Sequence, residues 1–398
     1  MKQSIVRFGV CVTGVALFAA ASYAGQYESP PTFSASQVLP PDLLRSSDYS
    51  IGDRVGLENF QYVFNVDSKW GPFVVQGGDL MRVRAREIVA TAKLEEISGG
   101  DTAVNSAART ALKPVGTAKD FVTAPAKTVK DTFKGVGRIF GSADAAMSAT
   151  DPHKETVLAS VTGGATARRK LAFELGIDPN TSFPPLSAEL KRVATASAVG
   201  ETGVNVGLSF VAGPAGIAIS AGGTSNTLRE MLRDKTAADL EKEGRVRLAA
   251  IGVSPPAIDA FYLSPMLSPT DKAIIVEAMQ SLGGAGGREV FIAGAANAVS
   301  IEMGFFYRRQ AELIASFNRK VTPVRGFVQF GGAPMLETGK GTVSILPVDY
   351  LIWTPPLENL IAGAKGQRGE IWITGRASAI ATAKLVERGW KIVPKAKL

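Results

Sequence analysis

The stretch 61-QYVFNVDSKWGPFVVQG-77 places two runs of β-forming residues around Ser68-Lys69-Trp70-Gly71-Pro72. Two such runs interrupted by a Gly-Pro signal predict a β-hairpin, here with a loop longer than two residues. Asp79 then precedes 80-LMRVRAREIVATAKLEEIS-98, whose composition and spaced Leu80, Val83, Ile88, Ala92 and Leu94 predict a helix. A hairpin that runs directly into a helix sets the N-terminal part of an α+β fold.

Upstream, residues 25–60 begin with Pro30-Pro31, Pro40-Pro41 and Ser46-Ser47 and read as an extended lead-in. Residues 1–24 have the form of a cleavable export signal. Lys2 and Arg7 give the charged region, 8-FGVCVTGVALFAAA-21 the apolar core and Ser22-Tyr23-Ala24 the cleavage site. The apolar run falls short of the roughly 20 residues that span a bilayer. Cleavage would remove Cys11, the only cysteine, and leave no disulfide, thiolate nucleophile or cysteine-based metal site. The expected location is the periplasm or the periphery of an envelope membrane.

Downstream, helices are expected over 154–176, 186–199, 226–250, 269–281 and 287–319, with Pro and Gly between them. After Val321 the pattern turns to short strands at 324-VRGFVQF-330, 342-TVSILP-347, 350-YLIWT-354, 371-IWIT-374 and 390-WKIVP-394, with helices over 356–365 and 377–388. The expected fold is therefore α+β and mainly α. It has an N-terminal hairpin and helix (61–98), a basic repeat segment (99–150), a central helical bundle (151–320) and a small C-terminal α/β unit (321–398).

Three stretches together carry a resemblance: 63-VFNVDSKWGPFVVQGGDLMRVRAREI-88, the basic repeat, and 167-ARRKLAFELGIDPNTSFPPLSAELKRVA-194. They resemble an exported proteobacterial family of unknown function; the resemblance implies export and does not supply an activity. Where that pattern would continue with Tyr-Ser-Ser-Asn after Asp178-Pro179, this chain has Asn180-Thr181-Ser182-Phe183. The tail from Ile371 also resembles the last strand, loop and helix of rhodanese-like domains. Its loop, 375-GRAS-378, lacks the cysteine that sulfur transfer requires.

Several chemistries find no residues to carry them. His153 is the only histidine, and no G-x-S-x-G elbow exists to partner it. The run 339-GKGT-342 lacks the upstream glycine of a phosphate loop, and 283-GGAGG-287 lacks dinucleotide-binding spacing. No catalytic residue, metal ligand or cofactor is expected. The apolar stretch 203-GVNVGLSFVAGPAGIAISAGGTSNTL-228 is long enough to span a bilayer, but Gly213-Pro214 breaks it, which favours a tight helical hairpin. Its expected packing partner is the segment around 290-VFIAGAANAVSIEMGFF-306.

The remaining signal is 114-PVGTAKDFVTAPAKTVKDTFKGVGRIF-140, an eleven-residue repeat in which Pro114, Thr117, Lys119 and Asp120 recur as Pro125, Thr128, Lys130 and Asp131. Eleven residues make close to three helical turns, so the repeat keeps one face in register. On a helical wheel the apolar stripe Val115, Val122, Val129, Phe133, Val136 and Phe140 falls within an arc of about 80°. Lys113, Lys119, Lys127, Lys130, Lys134 and Arg138 fall in a separate arc of about 120°. Pro125 would cost about 3 kcal/mol inside one continuous helix, so short helices, each opened by a proline, are expected instead. Residues 109–141 hold seven basic and two acidic side chains, and residues 365–398 hold eight and two. That segregation points to an anionic partner.

The expected function is a non-enzymatic envelope protein whose repeat binds an anionic lipid surface or another envelope component, with no nucleic acid partner. Two alternatives stand beside it. One is an assembly or scaffold protein that uses the repeat and the Gly-rich hairpin for protein contacts. The other is an enzyme with a site at Asp349 and the loop Gly375–Ser378. The sequence sets no oligomeric state.

Overall fold

The computed structural model describes residues 27–97, 164–199, 226–330, 333–363 and 368–398. It is a mixed α and β fold with one sheet near each end of the described chain. The N-terminal sheet is antiparallel, built from β1 (Phe33–Ser34), β2 (Tyr49–Ile51), β3 (Arg54–Glu58), β4 (Gln61–Ser68) and β5 (Gly71–Gln76). Long strand β4 is central: β5 pairs along one edge, while β3 and β2 share the other.

The expected hairpin is β4–β5, but its loop is tighter than its composition suggests. Ser68 pairs with Gly71, which leaves only Lys69 and Trp70 between the strands. Gly71, at φ 109°, provides the left-handed backbone that closes the turn. Pro72 cannot donate to a ladder and sits on edge strand β5, where only one side is paired. Alternation places Phe64, Val66, Phe73 and Val75 in the core and turns Asn65, Asp67 and Val74 outward. The reading of 25–60 as an extended lead-in is corrected over 33–58. This segment supplies β1–β3 and a single helical turn at Ala35–Val38, because buried Leu39, Tyr49, Val55 and Leu57 anchor it despite its prolines.

Helix α1 (Gly78–Ile97) follows as expected and carries Leu80, Met81, Ile88 and Leu94 into the same core. It packs on α3 (Pro184–Val199), which also packs on α2 (Gly164–Leu175). Trp70 is fully buried, and its Nε1 donates to Glu95 Oε1 of α1 at 2.7 Å. Its ring meets Phe183, from the α2–α3 loop, edge-on.

Two expected long helices are each divided. Residues 226–250 form α4 (Asn226–Asp234) and α5 (Ala237–Ala250), because Thr236 caps α5 in a reciprocal box with Asp239. Residues 287–319 form α8 (Arg288–Ala296) and α9 (Ile301–Lys320), with Ser300 as the cap of α9. Helix α6 (Pro255–Leu263) was not expected; α7 (Pro269–Gln280) was.

The C-terminal sheet has the order β12 (Trp390–Val393), β10 (Gly369–Ile373), β8 (Gly341–Leu346), β7 (Ala333–Thr338), β6 (Val324–Phe330). Its last three strands in sequence are parallel; β6, β7 and β8 are antiparallel, and β7 is the strand that sequence patterning missed. Helices α10 (Pro355–Ala362) and α11 (Ala379–Glu387) connect the parallel strands and pack Leu357, Ile361 and Leu385 in one core with Ile371 and Ile373. Val343, Ile345, Leu336 and Phe327 belong instead to a core shared with α6–α9. A short parallel pair joins β9 (Tyr350–Leu351) and β11 (Arg376–Ala377). Among the described residues, no helix is long and apolar enough to cross a membrane.

Candidate functional site

The two sheets meet at a two-residue turn. Asn59 and Phe60 link β3 to β4 with φ of 49° and 65°, the paired left-handed geometry that suits the twist of a hairpin. Asn tolerates this conformation; a bulky aromatic such as Phe60 does so only under strain, of order 1 kcal/mol. Phe60 is held there from two sides. Its carbonyl accepts the N–H groups of Asp349 and Tyr350 at 2.9 and 3.1 Å, and its ring packs against both the N-terminal core and the α10–α11 core.

Asp349 reciprocates. Its Oδ2 accepts the backbone N–H of Tyr62 and that of Gly78, each at 2.9 Å. Gly78 opens α1, and a side chain there would come within 2.8 Å of Asp349 Oδ1, so glycine permits the close approach. Gln61 Nε2 donates to Pro347 O at 2.6 Å. Farther along, Glu28 Oε2 accepts from Trp353 N and from Ser378 Oγ, both at 2.6 Å.

A crevice of about 20 Å³, enough for one water, opens beside this joint between Gln61, Asp79, Phe305, Phe306, Arg309 and Asp349. Arg309 Nε donates to Asp79 Oδ2 at 2.8 Å and its Nη1 to Glu312 Oε2 at 3.0 Å. Behind it lies a buried ionic network. Arg308 reaches Asp271 at 3.1 Å, Glu312 at 3.6 Å and Asp178 at 3.9 Å. Asp178 Oδ1 accepts from Thr270 Oγ1 at 2.5 Å and from Asn180 N at 2.7 Å. Arg84 donates to Glu87 at 2.5 Å, and Thr181 donates to the same carboxylate. Burial raises the carboxyls of Glu87, Asp178 and Glu312 above their ordinary values, against the pull of their arginine partners. Burial alone would depress the Arg308 guanidinium, but Asp271, Glu312 and Asp178 hold it above its ordinary value.

Burial likewise pushes the Asp349 carboxyl from 3.8 to about 7, opposed by the two N–H bonds and aided by the negative charge of Asp79. Folding therefore favours its protonated form. The stability it contributes is full below pH 3.8 and is lost as pH rises through about 7. Asp349→Asn keeps an oxygen for both N–H groups and cannot ionise. Relative to wild type it is expected to gain about 3 kcal/mol of stability between about pH 5 and about pH 8. Urea denaturation of both proteins at the two pH values checks this, and parallel losses would refute it.

Asp349, whose carboxyl lines this crevice, can exchange a proton there near neutrality. The loop Gly375–Ser378, paired with Asp349 in the sequence reading, is indeed its neighbour. Gly375 N donates to Val348 O at 2.8 Å, Arg376 N to Asp349 O at 3.0 Å, and a side chain at Gly375 would overlap the Asp349 carbonyl. Ser378 Oγ caps α11 by accepting from Ala381 N at 2.9 Å. These groups are occupied in joining elements. Among the described residues, no three His, Cys, Asp or Glu side chains converge as metal ligands.

The cations Lys113, Lys119, Lys127, Lys130, Lys134 and Arg138 and the apolar stripe from Val115 to Phe140 lie outside the described residues, as do residues 1–24, His153 and 203–225. Gln61, Gly78 and Arg309, which complete the joint, were not singled out by sequence. Their part depends on which strand Asp349 meets across nearly 290 residues, and no local pattern carries that. No family model, curated protein or solved structure matches the chain.

Proposed function

We propose that this chain is a non-enzymatic protein of the cell envelope, exported by its N-terminal signal, with a helical bundle as its central body. Its basic amphipathic repeat associates with an anionic membrane surface. The observation that carries this reading is the segregation of six cations and six apolar residues onto separate faces of an eleven-residue repeat. A helix with those two faces combines long-range attraction with burial at the headgroup boundary. In sequence the repeat lies between α1 and α2, which both pack on α3. The resemblance to an exported family belongs to the same reading.

Fractionation of expressing cells tests it. The protein is expected in the membrane pellet in low salt and in the supernatant after a wash at about 1 M salt, where screening shortens to about 3 Å. Recovery in the soluble cytoplasmic pool would contradict the reading, as would a pellet fraction that salt does not release.

A further inference from the structure

A second cavity, of about 320 Å³, opens where α9 ends over the first residues of β8 and β10. This volume lies in the range of small-molecule sites. Its apolar surface comes mainly from Val321 and the partly buried Trp372, which is backed by the buried Phe317, edge-on at 5.2 Å between ring centroids. Trp372 is only partly buried, whereas Trp70, Trp353 and Trp390 are 2 % exposed or less.

The rim is cationic. Lys340, in the β7–β8 turn, and Arg368, just before β10, are both exposed. Neither has an acidic side chain within 4 Å among the described residues. The aliphatic stem of Arg368 lies close over Gly389, where a Cβ would come within 3.2 Å of it. The one acidic lining residue, Glu370, is already occupied. Its Oε1 accepts from Lys391 Nζ at 2.7 Å and its Oε2 from Trp372 Nε1 at 2.7 Å. The negative end of α9 also faces this region, but Arg319 and Lys320 in its last turn oppose it. Lys340, Arg368 and Lys391 against Glu370 leave the groove with an excess of positive charge beside an aromatic floor.

We infer that this groove is a binding site for a small amphipathic anion, an aromatic ring bearing one carboxylate. The ring lies against Trp372 and Val321, and the carboxylate sits between Lys340 and Arg368. This inference does not depend on the repeat or on membrane association.

Calorimetric titration of the full chain with 2-naphthoate, and with the neutral 2-naphthamide as comparator, tests it. Saturable binding of 2-naphthoate at one site is expected, with the amide at least about tenfold weaker. Changing Lys340→Gln and Arg368→Gln together should reduce 2-naphthoate to the level of the amide. Both substitutions are on exposed side chains, so the fold is expected to be unaffected. Val321→Trp, which fills the groove from its rim, should abolish binding of both. The inference is overturned if 2-naphthoate gives no saturable heat up to about 1 mM. It is equally overturned if the double variant or Val321→Trp binds 2-naphthoate as wild type does.

Discussion

If the repeat binds as proposed, changing Lys119, Lys127, Lys130 and Lys134 together to Gln is expected to lower the affinity of the chain for anionic vesicles about a thousandfold, at about 1 kcal/mol for each basic residue near the surface. Glutamine keeps the length and helix propensity of lysine, so the substitution removes charge with little change in the tendency to form helix. The apolar stripe is left intact. Residual binding by the variant should therefore be weak and nearly independent of salt, whereas wild-type binding should fall steeply with ionic strength. Flotation assays across a salt series separate the two. A variant that still floats as wild type does would show that the stripe, or another part of the chain, is responsible. The complementary change Val129→Ser with Phe133→Ser should weaken binding while leaving the salt dependence in place, because it removes burial from the apolar face and keeps the charge.

Arg308→Met is expected to destabilise the fold by about 3–5 kcal/mol, the range for breaking a buried ion pair from one side. Methionine fills much of the same volume, so the loss is electrostatic before it is steric. Asp178, Asp271 and Glu312 stand around one guanidinium, and all three sit on different elements or different turns. Without it, the carboxyls of Asp178 and Glu312, already raised by burial, must take up protons to remain enclosed. The penalty should therefore shrink as pH falls from about 8 to about 5, because acid supplies those protons. Denaturant midpoints at both pH values measure this. A loss below about 1 kcal/mol at the higher pH would mean that the cluster is already neutral in the native protein.

The elements that sequence patterning placed correctly are those in which local signals agree. In β4 and β5 the β-formers, the glycine turn and the alternating burial coincide. In the tail, β10, α11 and β12 each have the composition of their class, and Gly389 at φ 81° ends the last helix turn. Errors arose where local signals conflict. Prolines at 30, 31, 40 and 41 hid β1–β3, whose pairing is set by Val55 and Leu57 meeting the hairpin. Pro334 hid β7, although a proline is tolerated at the start of a strand. The Thr236–Asp239 and Ser300 caps were readable as helix starts, but continuous helix-forming composition on both sides masked them.

The joint at Asp349 shows a different limit. Strand-end position drew attention to Asp349 and to Gly375–Ser378, and the structure does bring them together. Their role became clear only from Tyr62, Gly78 and Phe60, because a buried carboxylate bonded to two distant N–H groups leaves no local trace. The loop Asp178–Phe183 is similar. It carried part of a family resemblance, and its Thr181 and Phe183 turn out to contact Glu87 and the Arg84 guanidinium of α1.

The most direct test of the central claim is flotation of the purified chain from Gly25 onward, without the export signal, with vesicles of phosphatidylglycerol and phosphatidylcholine in low salt, beside vesicles of phosphatidylcholine alone. The protein is predicted to float with the anionic vesicles, to stay behind with the neutral ones, and to be released by added salt. Failure to bind the anionic vesicles in low salt would contradict the account.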